Sequence, residues 1–243
     1  MSMRKEQTEH FKEEACLKDV TSFREFVRPY LKEDFVLLDL GTGGGYGVVA
    51  VAEAVKKVTA TDVKKEMLDA ARATCKDEGI TNVEFRKMAA EDIEMPNESF
   101  DAVLIRFSLH HFHNAQKALQ EACRVLKPNG LLFLADAFFP ERVVRIWTIT
   151  SLLRHGEWTP YFTYREHMDM LENSGLQVKD IRPIIVEQWL DDFYFSAPEN
   201  QRNVLRLLVE HLEIEEKRLL RFREEGGRVK YAYDGFELVA KKR

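Results

Sequence analysis

The chain has 243 residues, room for one large domain with a full core, and its 45% hydrophobic against 32% charged residues mark an ordinary folded protein rather than a disordered one. Its net charge of −5 gives no electrostatic footing for a phosphate backbone, so no nucleic-acid partner is expected. The longest uncharged run, Leu40 to Ala52, is glycine-rich and well short of the ~20 apolar residues of a bilayer-spanning helix. The charged stretch around Met1 to Glu14 has no apolar segment of the secretory kind, and a cytoplasmic location is expected.

Residues 1–34 read as an N-terminal helical cap. Ser22 with Glu25 three positions on has the form of a capping box, and Phe23, Phe26, Val27, Tyr30 and Leu31 make an apolar stripe expected to pack over the sheet's ligand edge. From Phe35 the chain alternates. FVLLDL ends in a glycine cluster and is followed by GVVAVAEAV at helical spacing. VTATD (Val58 to Asp62) precedes a helix with Met67, Leu68, Ala71 and Cys75 on one face, stopped at Gly79. VEFRKM, FDAVLIRF (Phe100 to Phe107), a helix from about Asn114 to Leu126, the KPNG turn and LLFLAD (Leu131 to Asp136) continue the pattern. Strands apolar on both faces, separated by helices, predict a parallel sheet covered on both sides.

Residues 138–165 are rich in aromatics, among them Phe138, Phe139, Trp147, Trp158 and Tyr161, and read equally as a lid or as extra core. Residues 199–225 read as a charged helix with Glu213 and Lys217 at i,i+4. RVKYAYDGFELVAKK reads as a closing hairpin around Asp234-Gly235. Cys16, Cys75 and Cys123 lack any CxxC spacing and read as buried reduced thiols.

Gly41, Gly43, Gly44, Gly45 and Gly47 fill the first strand-to-helix turn, where an open α/β sheet presents free backbone N–H groups to a ligand. A dinucleotide fingerprint beginning at Gly41 is broken by Tyr46, and the formal match GYGVVA starts inside the expected helix. The pattern is instead D-x-G-x-G-x-G, from Asp39 through Gly41 and Gly43 to Gly45, a wider loop suited to a nucleoside with an amino-acid tail. Asp62, about twenty residues on, ends the second strand where a carboxylate can accept from both ribose hydroxyls, or else start the next helix.

VLLDLGTGGGYG, VTATD, AEDIEMPNESFDAVLIRFSLHHF and EACRVLKPNGLLFLAD resemble, in order and spacing, the successive motifs of class I S-adenosylmethionine-dependent methyltransferases, in particular the ubiquinone and menaquinone biosynthesis branch. The resemblance covers about residues 34–137, and FTYREHMDMLENSGLQV (Phe162 to Val178) is similar to the family's later helix and strand. It implies a single doubly wound α/β domain over residues 1–243: a mostly parallel, seven-stranded Rossmann-like sheet with helices on both faces and an antiparallel C-terminal edge strand. Residues 35–137 would be the cofactor-binding core, with 138–165 and 184–228 as substrate-side insertions. It implies S-adenosylmethionine as cofactor and S-adenosylhomocysteine as product. Gly41, Thr42, Gly43 and Gly45 would line the methionine part, with Asp39 beneath toward the amino group. Asp62 would hold the ribose, Val63 would pack on the adenine, and Ala90 with Glu91 or Asp92 would meet the adenine edge. Arg106 and Phe107 would close over the cofactor. Ala89 stands where many members carry Asp.

His110, His111 and His113 follow the fourth strand and Asp136 ends the fifth, its neighbour in this topology. Two readings stand: His110 or His111 faces the acceptor as base with Asp136 orienting it, or the pair caps the next helix and packs against the fifth strand. No metal is expected, since adjacent histidines diverge on a helix and no carboxylate completes a set. The expected activity is methyl transfer to O, C or N of a small aromatic or apolar acceptor by a monomer or homodimer. A non-catalytic S-adenosylmethionine-binding module is the alternative.

Overall fold

The computed structural model describes residues 20–156 and 159–243. Its centre is one sheet of β1 (Val36–Leu40), β2 (Lys57–Asp62), β3 (Val83–Lys87), β4 (Phe100–Arg106), β5 (Leu126–Ala137), β6 (Leu176–Trp189), β7 (Arg223–Glu225) and β8 (Arg228–Lys242). Seven strands run in the order β3-β2-β1-β4-β5-β8-β6, and the three-residue β7 pairs beside β8. Strands β1 to β5 pair in parallel, whereas β8 lies antiparallel between β5 and β6. The chain winds from β1 out to β3 and then returns to place β4 on the other side of β1. The connections diverge at that reversal, and a crevice opens above the carboxyl ends of β1 and β4.

The helices are α1 (Thr21–Val27), α2 (Tyr46–Val51), α3 (Lys65–Asp77), α4 (Ala115–Val125), α5 (Glu141–His155), α6 (Tyr164–Asn173), α7 (Leu190–Phe195), α8 (Glu199–Glu210) and α9 (Ile214–Leu219). Alternation along each strand sends its side chains to opposite faces. Leu38, Leu40, Val103 and Ile105 pack under α4 and α6 with Ala118, Leu119, Ala122 and Leu171. Leu37, Ala102, Leu104 and Phe133 face the other way, toward Phe23, Val27, Val48 and Val51 of α1 and α2. That is why these strands read as unbroken apolar runs.

The aromatic stretch resolves as core. Trp147 is 1% exposed and stacks on Phe193 at 5.1 Å, within a third cluster that joins α5, α7 and α8 to Tyr231 of β8. Trp158 lies outside the described residues, as does Cys16. Cys75 is buried, and its burial pushes the thiol up to about 11. Cys123 is half-buried.

Four local expectations are corrected. The Ser22/Glu25 capping box does not form: Val20 is the N-cap without a side-chain bond, and the Ser22 carbonyl and hydroxyl accept from Arg182 of β6 at 2.5 and 2.8 Å. A distant guanidinium outcompetes the local cap. The 199–225 segment is two helices, because Glu213 starts α9 in a capping box with Glu216 and ion-pairs with Arg142, while Lys217 donates to the Glu210 carbonyl instead of meeting Glu213. Asp234-Gly235 is no turn. β8 runs straight through it, and Gly235 is required because a Cβ there would sit 2.9 Å from the Asp136 carbonyl. The hairpin turns at Gly226-Gly227, both at positive φ, between β7 and β8. Finally, β6 continues to Trp189, so residues 184–189 belong to the sheet rather than to an insertion.

Candidate functional site

The crevice between β1 and β4 holds a cleft walled by the glycine loop, the end of β2, the turn after β3 and the segment after β4. Gly41, Thr42, Gly43, Asp62, Val63, Ala90, Glu91, Arg106, Phe107 and His111 all line it. Asp39, Gly45, His110 and Asp136 do not, and each lies directly behind that wall or beneath it.

The loop is built by backbone conformations that favour glycine. Gly41 (φ 68°) allows Ser108 to approach, since a Cβ would come within 2.8 Å of the Ser108 Cβ, and Ser108 Oγ donates to the Leu40 carbonyl at 3.0 Å. At Gly43 (φ 52°) nothing lies within 4 Å of a would-be Cβ, so the loop faces open space there. Gly45 seats the loop on α3, where a Cβ would lie 3.0 Å from the Ala71 Cα. Its position serves packing, with Gly41 to Gly43 presented to the cleft.

Two carboxylates flank the loop. Asp62 Oδ2 accepts from the Gly43 N–H at 3.1 Å and Oδ1 from the Lys64 N–H at 2.9 Å, so this side chain ties the loop to the end of β2. Each carboxylate oxygen keeps further acceptor capacity. Burial raises its pKa against the help of those N–H groups. Lys64, not Asp62, is the N-cap of α3. Asp39 is fully enclosed beneath the loop against Gly47, and among the described residues no hydrogen-bond donor reaches its Oδ2. Burial, supported by the nearby Asp62 charge and opposed by Thr42 and Arg106, pushes its carboxyl up to about 7.

Val63 is 51% exposed on the cleft wall, an apolar surface open to a flat partner. Glu91 Oε1 accepts from the Asn114 N–H at 3.1 Å, and Asn114 caps α4 through the Lys117 N–H. The histidine pair therefore does not cap α4, because Asn114 does that work, whereas buried His110 does pack against β5 through Asp136. Arg106 lies over the Phe23 and Phe107 rings, at 5.6 and 5.2 Å, which brings α1 to the cleft. Phe107 holds a left-handed backbone (φ 52°), a strained state for a residue with a side chain, fixed by its N–H on the Ala135 carbonyl at 2.7 Å.

His110 and His111 occupy a short 3-10 helix, Leu109–His111, and their roles divide. His111 faces the cleft. His110 is 7% exposed, donates from Nδ1 to Asp136 Oδ1 at 2.6 Å, stacks on Tyr161, and meets the His111 ring at 4.2 Å between centroids. Burial alone would raise the Asp136 carboxyl, but the His110 ring and its hydrogen bond outweigh it and hold the group below its ordinary range. Sequence reasoning missed Thr159, which lines the cleft from the insertion, and His167, which is buried near Asp136. Thr159 has no local signal, and a lone histidine in an apolar stretch reads as core. Among the described residues no group of His, Cys, Asp or Glu side chains converges as a metal ion would require.

The residues fit an S-adenosyl amino acid. The Asp39 carboxyl beneath the loop puts an acceptor under the end that would take an ammonium, the space at Gly43 suits a ligand against backbone, and exposed Val63 suits a base. Such a sheet, with a glycine loop after β1 and an acid at the end of β2, defines a nucleoside-binding α/β protein. Residues 38–134 match the Methyltransferase domain family. Over 160 residues the chain is 31% identical to YcgJ of Bacillus subtilis, an uncharacterized methyltransferase, and the match spans 63% of each chain. It is 31% identical over 161 residues to the ubiquinone biosynthesis O-methyltransferase of Xanthomonas axonopodis pv. citri, covering 63% of this chain and 67% of that one. The crystal structure of BH2331 from Bacillus halodurans matches at 26% identity with a TM-score of 0.83, over 92% of this chain and 98% of that one. The chain belongs to the S-adenosylmethionine-dependent methyltransferase family.

Proposed function

We propose that the protein transfers the methyl group of S-adenosylmethionine to an oxygen, carbon or nitrogen atom of a small aromatic or apolar acceptor, with His111 as the base. The observation that carries this reading is the continuity of the cleft, which runs from the glycine loop to His111, His113 and Thr159. When bound, the cofactor supplies a methyl group already activated on a sulfonium. The protein's part is to align the acceptor and exclude water.

Asp39 would take the ammonium and Asp62 the ribose hydroxyls, while Val63 packs on the adenine and Ala90 and Glu91 meet its edge. Gly41, Thr42 and Gly43 present backbone to the methionine part, with Arg106 and Phe107 covering it. On the acceptor side, His111 removes the nucleophile's proton, an assistance worth typically ~10²–10⁴-fold. His110, held by Asp136 and stacked on Tyr161, fixes the His111 ring from behind. On the wall next to His111, Phe112 favours a flat or apolar acceptor. Among the described residues, Phe139, Trp147 and Tyr161 of the aromatic stretch pack as core and Thr159 lines the cleft beside His111 without filling it, which supports an enzyme over a binding module.

The test is a screen for transfer of labelled methyl from S-adenosylmethionine to quinone precursors, phenols, polyketides and small acids. Transfer to an aromatic or apolar compound, lost in His111→Ala, is expected. Transfer confined to small anionic acids, or none to any class, would overturn the acceptor assignment.

A further inference from the structure

Arg182 belongs to β6, the strand at the edge of the sheet, and does not line the cleft. Its Nε donates to Glu237 Oε2 at 2.6 Å, its Nη2 donates to the carbonyl and hydroxyl of Ser22 at 2.5 and 2.8 Å, and its guanidinium lies 4.7 Å from the centre of the Phe26 ring. Glu237 is a buried carboxylate of β8, and a buried ion pair of this kind is a weak device for stability alone. Strand register puts the pair in line with the cleft. Arg182 stands opposite Glu237, Glu237 opposite Ala135, and Ala135 opposite Arg106. Partners in register point to one face, so a single row runs from Arg106 in the cleft wall to Arg182 at the sheet edge, ~14 Å away at the usual strand spacing.

Helix α1 lies over that row. Phe23 and Phe26, three positions apart, are neighbours on one helix face. Phe23 meets Arg106 at 5.6 Å, and Phe26 meets Arg182. With seven residues and no side-chain cap, α1 depends on its surroundings to hold its conformation and its place. Burial of Phe23 and Val27 is non-directional. The directed ties are Arg24 to the Val49 carbonyl, Tyr30, just past the helix, to Asp180 of β6, and Arg182 to Ser22 in the first turn. We infer that Arg182, set by Glu237, is a positioning residue for cofactor binding: from the far edge of the sheet it fixes the start of α1, so that Phe23 supports the Arg106 guanidinium in the cleft wall. The inference rests on the reading that Arg106 covers the cofactor. A ring face attracts a guanidinium without neutralising it, so Phe23 sets where Arg106 lies while its charge remains. Without the Arg182 tie the first turn of α1 shifts, Phe23 moves with it, and Arg106 must be ordered anew when the ligand binds, which weakens affinity.

The test is titration calorimetry of S-adenosylhomocysteine into the full chain, Arg182→Ala, Phe23→Leu and the double variant, with a thermal melt of each. Arg182→Ala is expected to weaken binding roughly three- to thirtyfold, the span for residues that couple to a site through packed neighbours. Phe23→Leu keeps an apolar side chain in the core but removes the ring. In that background Arg182→Ala changes affinity by less than about twofold, because the contact it acts through is gone, while the melting temperature still falls. A purely structural role would weaken binding by the same factor in both backgrounds. Arg182→Lys keeps a charge beside buried Glu237 should Arg182→Ala not fold; lacking the fork that reaches Ser22 and Glu237 together, it is expected to show the same dependence on Phe23. Equal losses in the two backgrounds, or Arg182 variants that bind as tightly as the parent, overturn the inference. Failure of the Arg106 reading shows differently: Arg106→Ala alone then binds S-adenosylhomocysteine as tightly as the parent, and the inference falls with it.

Discussion

Asp39 sets a conflict between stability and binding within one carboxyl group. Its pKa rises from 3.8 to about 7 on folding, so its contribution to stability is fully present below pH 3.8 and is lost as pH climbs to about 7. Only the ionised form can pair with the ligand ammonium. Affinity for S-adenosylhomocysteine, which keeps that ammonium, is therefore expected to fall roughly tenfold per pH unit below about pH 7 and to hold level above it until the ligand's own amine loses its proton. Calorimetry across pH checks this, and Asp39→Asn should bind weakly while melting higher than the parent at pH 8. Asp62 carries a different load, since it holds the Gly43 and Lys64 N–H groups as well as the proposed ribose. Asp62→Ala should cost roughly 1.5–3 kcal/mol of cofactor affinity, the usual worth of hydrogen bonds to a charged acceptor. A change below about threefold in the dissociation constant, well under 1.4 kcal/mol, would leave Asp62 only a loop tie.

At the scale of elements, the histidine helix and the aromatic insertion make opposite expectations. His111→Ala should lower methyl transfer at saturating acceptor with S-adenosylhomocysteine affinity nearly unchanged, and Asp136→Asn should do the same more mildly, because it disturbs only the ring behind. Retained activity in both, with a lower melting temperature, would reduce the cluster to a structural one. Trp147→Ala should instead destabilise the fold by about 3–5 kcal/mol, the cost of emptying a buried aromatic site, and leave cofactor binding intact. Thermal melts with and without S-adenosylhomocysteine separate the two outcomes. The difference was not readable in the sequence. Whether an aromatic stretch is lid or core depends on what α7 and α8 bring against Trp147, and those helices lie tens of residues downstream. The same limit explains Ser22, whose capping pattern is locally complete yet loses to Arg182 from β6.

Over the whole molecule, what the sequence announced is what repeats locally. Strands apolar on both faces, the glycine turn after β1 and the acid ending β2 are each set by residues within one βαβ unit, and they place the cleft at the reversal of strand order. The positions of Asp39 and Asp62 at the strand ends were legible for that reason, whereas Val63 was named through the family resemblance. The split between His110 and His111 was not legible, because it depends on Asp136 from the neighbouring strand and Tyr161 from the insertion. The most direct test of the central claim is titration calorimetry of S-adenosylhomocysteine and of NAD into the full chain and into Gly43→Val. That substitution places a branched side chain in the open space above the loop, at a backbone conformation costing about 1–2 kcal/mol to a residue with a Cβ. Saturable binding of S-adenosylhomocysteine by the parent alone, with NAD inert in both proteins, is the expected result; binding of NAD without S-adenosylhomocysteine would contradict it.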